Sequence, residues 1–458
     1  MSKLKTIGAV GAAISLLAAV SGCRNTENAE DVTIASGPIN PVIDNCNTTG
    51  PVLSSASISS ETANSGLPCT VGFGDITEFN LANLQIAFDF NSWLTFVALN
   101  KKSGDSIEWQ GWQDLGSLML ADGAAPPPFG EAVPAPEICT GGAKGAPVLQ
   151  MISKTPITPT ASISGEPLNT GPLIDQNGKY ARYQILVNEP MYNYIVANDL
   201  YSRAGQAAFS DEIEFPAGKM EPDGKGVLGA IVLKVSWKVM GEGDDPAAFQ
   251  SVTGYVYTPA SQGEPATCVT EQLGLVGMHI VHKTDAEPQW LWGSFEHVAN
   301  VPDTPTSDGH FNFYNPSCSD CDVNTQPPQP WSPSVEPFPG DFRSQIMRTT
   351  TYPKEALDSA GRWNSQFQAA LGNSVLANYK LVTTQWPTDA KSKTDPSGAP
   401  FPLFAANSTM ETYVQATRSG NGWINTPQAT SSCMACHNNA TTTDGKESDF
   451  SFVLEKAQ

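Results

Sequence analysis

Residues 229–240, Gly229-Ala230-Ile231-Val232-Leu233-Lys234-Val235-Ser236-Trp237-Lys238-Val239-Met240, decide the fold class. The run is dense in β-branched and apolar side chains, which suit a pleated, half-buried strand. Three more runs of the same kind follow at 251–258, 273–284 and 289–298, with turn residues between them. Four strand-like runs in so short a stretch predict an antiparallel meander or a sandwich.

Working outward, the flanks read as helices and loops. Residues 188–202 predict a surface helix, opened by Asn188-Glu189-Pro190 with proline in the first turn. Residues 123–136 hold a proline cluster that excludes both helix and central strand. Residues 80–88 and 91–100 predict two short helices with Asn80 and Asn91 as caps. On the C-terminal side come a Pro-rich loop at 316–340, one long or two short helices at 354–379, and a strand at 381–386. A second Pro-rich loop spans 395–403. The expectation is an α+β chain: a β-rich body over 67–425 with peripheral helices, then a short C-terminal segment over 426–458.

The N-terminus reads as a targeting segment. Lys3 and Lys5 precede an uncharged apolar run over 7–20, then Val20-Ser21-Gly22-Cys23. That order is a secretory signal over residues 1–22, and the run is short for a membrane span of about 20 residues. A cysteine directly after small residues resembles the bacterial lipobox, which makes Cys23 the expected acylation site and anchors the chain to a membrane without spanning it. Residues 23–66, rich in Asn, Thr, Ser, Gly and Pro, read as a flexible tether. The expected location is the bacterial cell envelope, facing the periplasm or the exterior.

The 458 residues carry a net charge of −21, and cleavage after residue 22 removes two lysines and takes it to −23. So acidic a body repels nucleic acid and anionic lipid.

Near the other end stands Cys433-Met434-Ala435-Cys436-His437. Thiols at this spacing add across the two vinyl groups of a haem, and the adjacent histidine becomes the proximal iron ligand. A thioredoxin-like pair would need a βαβ context, and a zinc site two further ligands; neither accompanies the motif. One covalent haem c on Cys433, Cys436 and His437 is therefore the expected cofactor.

Of nine cysteines, Cys23 goes to lipid and two go to haem. Cys46, Cys69, Cys139, Cys268, Cys318 and Cys321 remain, enough for three disulfides in an oxidising compartment. Cys318-Ser319-Asp320-Cys321 lacks the following histidine, so a local disulfide is favoured over a metal site shared with His310.

After His437 the chain has neither Met nor His, so any such distal ligand is expected from upstream or from another molecule. The remaining histidines, His279, His282, His297 and His310, cluster within 32 residues, beside Met278. His279, His282, His297 and Met410 are the candidate distal ligands. On a strand His279 and His282 point to opposite faces, because their separation is odd. A non-haem metal site from His279 or His282 with Glu296 and His297 is the alternative use of the same cluster.

Several segments resemble bacterial cytochrome c family lipoproteins: residues 88–100, 277–284, 292–302 and 431–437. Lys101-Lys102 stands where Trp-Pro is expected. The resemblance implies a single C-terminal haem on a larger domain, and carries over Cys433, Cys436 and His437. The function expected is electron transfer to or from a redox partner protein of the envelope. The alternatives are a haem enzyme with an open distal position, peroxidase-like or another oxidoreductase, and a module that binds a small ligand on the iron.

Overall fold

The run at 229–240 forms a strand, Ile231–Val239, and the three similar runs join it in one sheet. The computed structural model describes residues 41–46, 58–59, 66–74, 76–103, 106–142, 145–152, 171–260, 264–304, 306, 308–328, 340, 342–389, 399–419, 422–424 and 432–458. The signal segment, Cys23 and most of the tether lie outside these residues, as does part of each Pro-rich loop.

In chain order the principal strands are β1 (Val42–Asn45), β2 (Pro68–Gly72), β3 (Arg182–Val187), β4 (Ile231–Val239), β5 (Ser251–Thr258) and β6 (Thr267–His282). They are followed by β7 (Leu291–His297), β8 (Tyr379–Pro387) and β9 (Pro400–Phe401). The helices that matter below are α1 (Leu81–Asn100), α2 (Glu189–Ala197), α3 (Lys354–Leu371) and α4 (Cys433–His437).

Among the described residues the main sheet has nine strands, in the order β9-β8-β7-β6-β4-β3 and then the short strand Gln113–Asp114. β5 pairs with the N-terminal half of β6, and the short strand Val148–Leu149 joins β5 in parallel; the other ladders of the sheet are antiparallel. The protein is thus mixed α+β with a β-rich antiparallel body. Strands β6, β7 and β8 follow one another as a meander.

One face of this sheet is covered by helices, not by a second sheet. Leu233, Val235, Met278, Ile280, Phe295 and Leu381 pack against α1 and α3 in a single apolar cluster. Phe96 stacks on Phe295 with ring centroids 4.3 Å apart, and Trp93 stacks on Phe367 at 5.0 Å. The residues expected to form two short helices are one helix, and it is central where a peripheral one was expected. Asn80 caps it, its side chain accepting from the Asn83 N–H. Asn91 is no cap: it is buried mid-helix and donates to the Thr70 carbonyl at 3.1 Å. Other buried polar groups of α1 are matched as well, Gln85 to Asp89 and Thr384, and Ser92 to Thr384. These long-range partners let a helix with polar residues be buried on all sides. Gly293 permits the close approach, since a Cβ there would lie 2.9 Å from Ser92 Oγ.

The 188–202 stretch begins as a helix where expected: Asn188 caps α2 and accepts from the Met191 N–H. Its Met191, Tyr192 and Ile195 are buried, so only one side of it is surface. Residues 354–379 resolve into α3 and a 3-10 turn, Val375–Asn378.

The six cysteines assigned to disulfides form three: Cys46–Cys69, Cys139–Cys268 and Cys318–Cys321. Within the stretch read as tether, β1 pairs antiparallel with β2, and the first disulfide ties the two together.

Candidate functional site

The second face of the sheet meets the Cys433–His437 motif. Strand alternation and the ladder registers place Lys234 and Ser236 of β4, Gly277, His279 and Val281 of β6, Trp292, Ser294 and Glu296 of β7, and Thr383 and Gln385 of β8 on this side. Two C-terminal segments lie over it. Residues 405–416 approach closely because position 277 is glycine, where a Cβ would collide with Thr409 Oγ1. Asn407 there donates to Ser294 Oγ and to the Phe295 carbonyl, and the Ser408 N–H donates to Glu296.

The second covering segment begins with α4. Ser432 caps it, accepting from the Ala435 N–H. Residues three and four apart share a helix face, so Cys433, Cys436 and His437 project from one side, while Met434 leaves that side and is buried with Val281 and Trp292. Both cysteines of the motif are half-buried and lie outside the disulfides. Gln385, fully buried, ties α4 to the sheet. Its Oε1 accepts from the Met434 N–H at 2.9 Å, and its Nε2 donates to the Pro402 carbonyl at 2.8 Å.

His437 packs against Trp292 with ring centroids 4.6 Å apart and against Phe452 at 4.9 Å. Its Nδ1 lies 2.8 Å from the Phe450 carbonyl oxygen. A carbonyl only accepts, so Nδ1 carries the proton and, in the neutral ring, Nε2 carries the lone pair. That is the tautomer a metal-binding histidine needs.

The acceptor is set by an unusual turn. Asp449 and Phe450 have φ of 50° and 63°. A bulky L-residue in this region costs about 1–3 kcal/mol and persists only where its surroundings hold it there. They do: Asp449 Oδ2 pairs with Lys283 Nζ and accepts from the Phe215 N–H at 2.8 Å, and the Asp449 carbonyl accepts from Trp290 Nε1 at 3.0 Å. Burial raises the Asp449 carboxyl above its ordinary range, with Lys283 and these hydrogen bonds opposing the rise. An open cleft beside the turn is lined by Glu212, Glu214, Asn438 and Glu447.

The structure sorts the histidines that the sequence left together. His279 faces the α4 side, with Nε2 3.2 Å from Glu411 Oε2; the same oxygen accepts from the Asn407 N–H at 3.0 Å. It lies two residues from Val281, which is paired with Trp292, the residue His437 touches. His282 is on the helix-covered face, opposite Ile231 and Leu291. It is buried, neither ring nitrogen has a hydrogen-bond partner, and burial lowers its pKa to about 4. His297 stacks on Phe249 at 4.2 Å, and both nitrogens serve backbone: Nε2 lies 3.0 Å from the Ala248 carbonyl, and Nδ1 accepts from the Ala299 N–H. Burial lowers this group to about 4 as well.

Met410 is buried in a cluster with Tyr183, Phe249 and Ile346, separate from the one holding Met434. Met278 faces α1, its sulfur 3.5 Å from Asn100 Nδ2.

The two non-haem metal readings are not realised. His279 and Glu296 stand on one face, His282 and His297 on the other, and Glu296 is paired with Arg348. Cys318 and Cys321 are oxidised to each other, and a disulfide offers a metal no thiolate. Among the described residues no group of three or more His, Cys, Asp or Glu is arranged to hold a metal ion.

Lys283, Gln385, Glu411, Asp449 and Phe450 escaped the sequence reading. Each is a common residue without motif spacing, and its role depends on partners far along the chain. Compared with family models, with curated proteins and with solved structures, the chain matches none.

Proposed function

We propose that this chain is a monohaem c-type cytochrome that carries electrons in the bacterial cell envelope, held at a membrane through lipid on Cys23. One observation carries the reading. The Cys433–His437 motif lies on one helical turn with thiols and imidazole on the same side, and His437 donates Nδ1–H to the Phe450 carbonyl. These residues fit a covalent haem: Cys433 and Cys436 would form the thioethers, and His437 Nε2 would take the iron. Bound there, a haem supplies a ferrous–ferric couple.

The chain's own residues do the rest. Trp292 and Phe452 fix the imidazole plane, and Gln385 and Met434 anchor the motif to the sheet. Phe450 orients the ring and raises its basicity through Nδ1–H. His279 is the distal candidate best supported: of the three candidate histidines it alone stands on the sheet face that meets His437, and Met410, in the segment over that face, is buried in a separate apolar cluster. The acidic cleft and the overall negative charge suit a basic redox partner.

A second reading, a haem oxidoreductase with an open distal position, rests on His279 and Glu411. An imidazole held 3.2 Å from a buried carboxylate is suited to proton transfer.

Acid-acetone extraction of the protein from a host that matures cytochromes c tests the first claim. Haem must stay with the chain, and must be lost from it in the Cys433→Ser, Cys436→Ser double variant; extraction from the unaltered chain overturns the reading. Spectra of the ferrous protein with carbon monoxide separate the two functions. Slow or absent binding supports the carrier, and rapid binding supports the enzyme.

A further inference from the structure

We infer that the buried Lys283–Asp449 pair is a positioning device for His437, fixing the turn whose carbonyl sets the imidazole's donor strength. The inference rests on the haem reading above.

Lys283 and Asp449 side chains are only 3% and 6% exposed. Removing two charges from water costs several kcal/mol per ion, and buried pairs often stabilise a fold no better than apolar residues would. The pair's location gives it a use. Asp449 is the first of two consecutive residues at positive φ, and the second, Phe450, supplies the oxygen that His437 binds. Asp449 is tied to three separate places: Lys283 just after β6, the Phe215 backbone, and the Trp290 indole in the β6–β7 connection. Trp290 itself sits at φ 70°, its N–H bonded to the Glu287 carbonyl. An unfavourable backbone conformation persists only where the surroundings over-determine it. Here three ties converge on the residue beside the acceptor.

A hydrogen bond from Nδ1 gives the imidazole part of the character of imidazolate. It then donates more strongly to iron and favours the ferric state. Loss of the clamp lets the Phe450 carbonyl turn away, weakens that donation and raises the midpoint potential.

The sign of the effect separates positioning from plain electrostatics. As simple charges, the two residues act oppositely. Removing Asp449 raises the potential, and removing Lys283 lowers it. As a clamp, removing either raises it. Lys283→Met is therefore the decisive variant, with Asp449→Asn as its companion and Lys283→Arg as the conservative rescue.

The measurements are the midpoint potential of the haem-loaded protein and the solvent-exchange rate of the His437 Nδ1–H by NMR. Lys283→Met and Asp449→Asn should both raise the potential and speed exchange while covalent haem is retained, and Lys283→Arg should stay near the parent. Potentials moving in opposite directions with unchanged exchange would overturn the proposal. Should neither variant fold, the parent decides: slow exchange of Nδ1–H supports the clamp, and exchange as fast as in free imidazole overturns it. A parent chain without covalent haem is a different outcome, read from haem content alone, and overturns both readings.

Discussion

His437 Nδ1 and the Phe450 carbonyl oxygen lie 2.8 Å apart, and Phe450 holds a φ of 63° to present that oxygen. The five-residue motif therefore depends on a backbone group thirteen residues further on. Around this bond the β6–β7 connection, Phe215 and the last segment of the chain converge.

The distal candidates separate by face. His279→Ala should change the ferric spectrum and the rate of carbon monoxide binding. His282→Ala, His297→Ala and Met410→Leu should leave both close to the parent once folding is verified, because these side chains lie on the opposite face or in another cluster. A spectrum that responds to His282 or Met410 and ignores His279 would refute the face assignment.

Gln385 binds the motif, its cap and the 402–403 backbone together. Gln385→Ala strands the Met434 N–H and the Pro402 carbonyl in a buried place, at a cost of about 1–3 kcal/mol for each group left unsatisfied. Limited proteolysis should cut the C-terminal segment faster in the variant while the sheet resists; identical cleavage of both proteins would count against this tie.

Glu287 is buried with one carboxyl oxygen unbonded, and burial, with the charge of Asp389 second, raises its pKa to about 9. Between 4.5 and about 9 the folded protein keeps a proton that the unfolded chain loses, so this group's contribution falls as pH rises through that window. Glu287→Gln removes the penalty. Its stability relative to the parent should improve by about 4 kcal/mol between pH 5 and pH 8, measured by urea unfolding. The same difference at both pH values would contradict the assignment.

Cys139–Cys268 spans 129 residues and Cys318–Cys321 spans three. Loop-closure entropy makes the first worth about 5 kcal/mol and the second about 1.6 kcal/mol. Paired Cys→Ser variants should differ in denaturation midpoint in that order, and an equal loss from both would show that the unfolded chain is not what these bonds restrain.

The strands of the core were legible because each is a local run of β-branched residues. The motif was legible because its chemistry is a matter of adjacent residues. The number of disulfides followed from an even remainder. Less could be read of α1. Asn91 looks like a cap in a linear pattern, and only Thr70, brought in by folding, makes it a buried donor within one continuous helix.

What the sequence determined by itself is thus the strand content, the haem-type motif, and the odd spacing that sets His279 and His282 on opposite faces. What the tertiary structure decided is which of those faces meets α4. Alternation along a strand divides residues into two sets but does not say what covers either set. That choice came from contacts across more than a hundred residues: Gly277 admitting Thr409, Trp292 receiving His437, and Lys283 holding Asp449. No period or spacing encodes such contacts, because they form only when distant segments pack into the same volume.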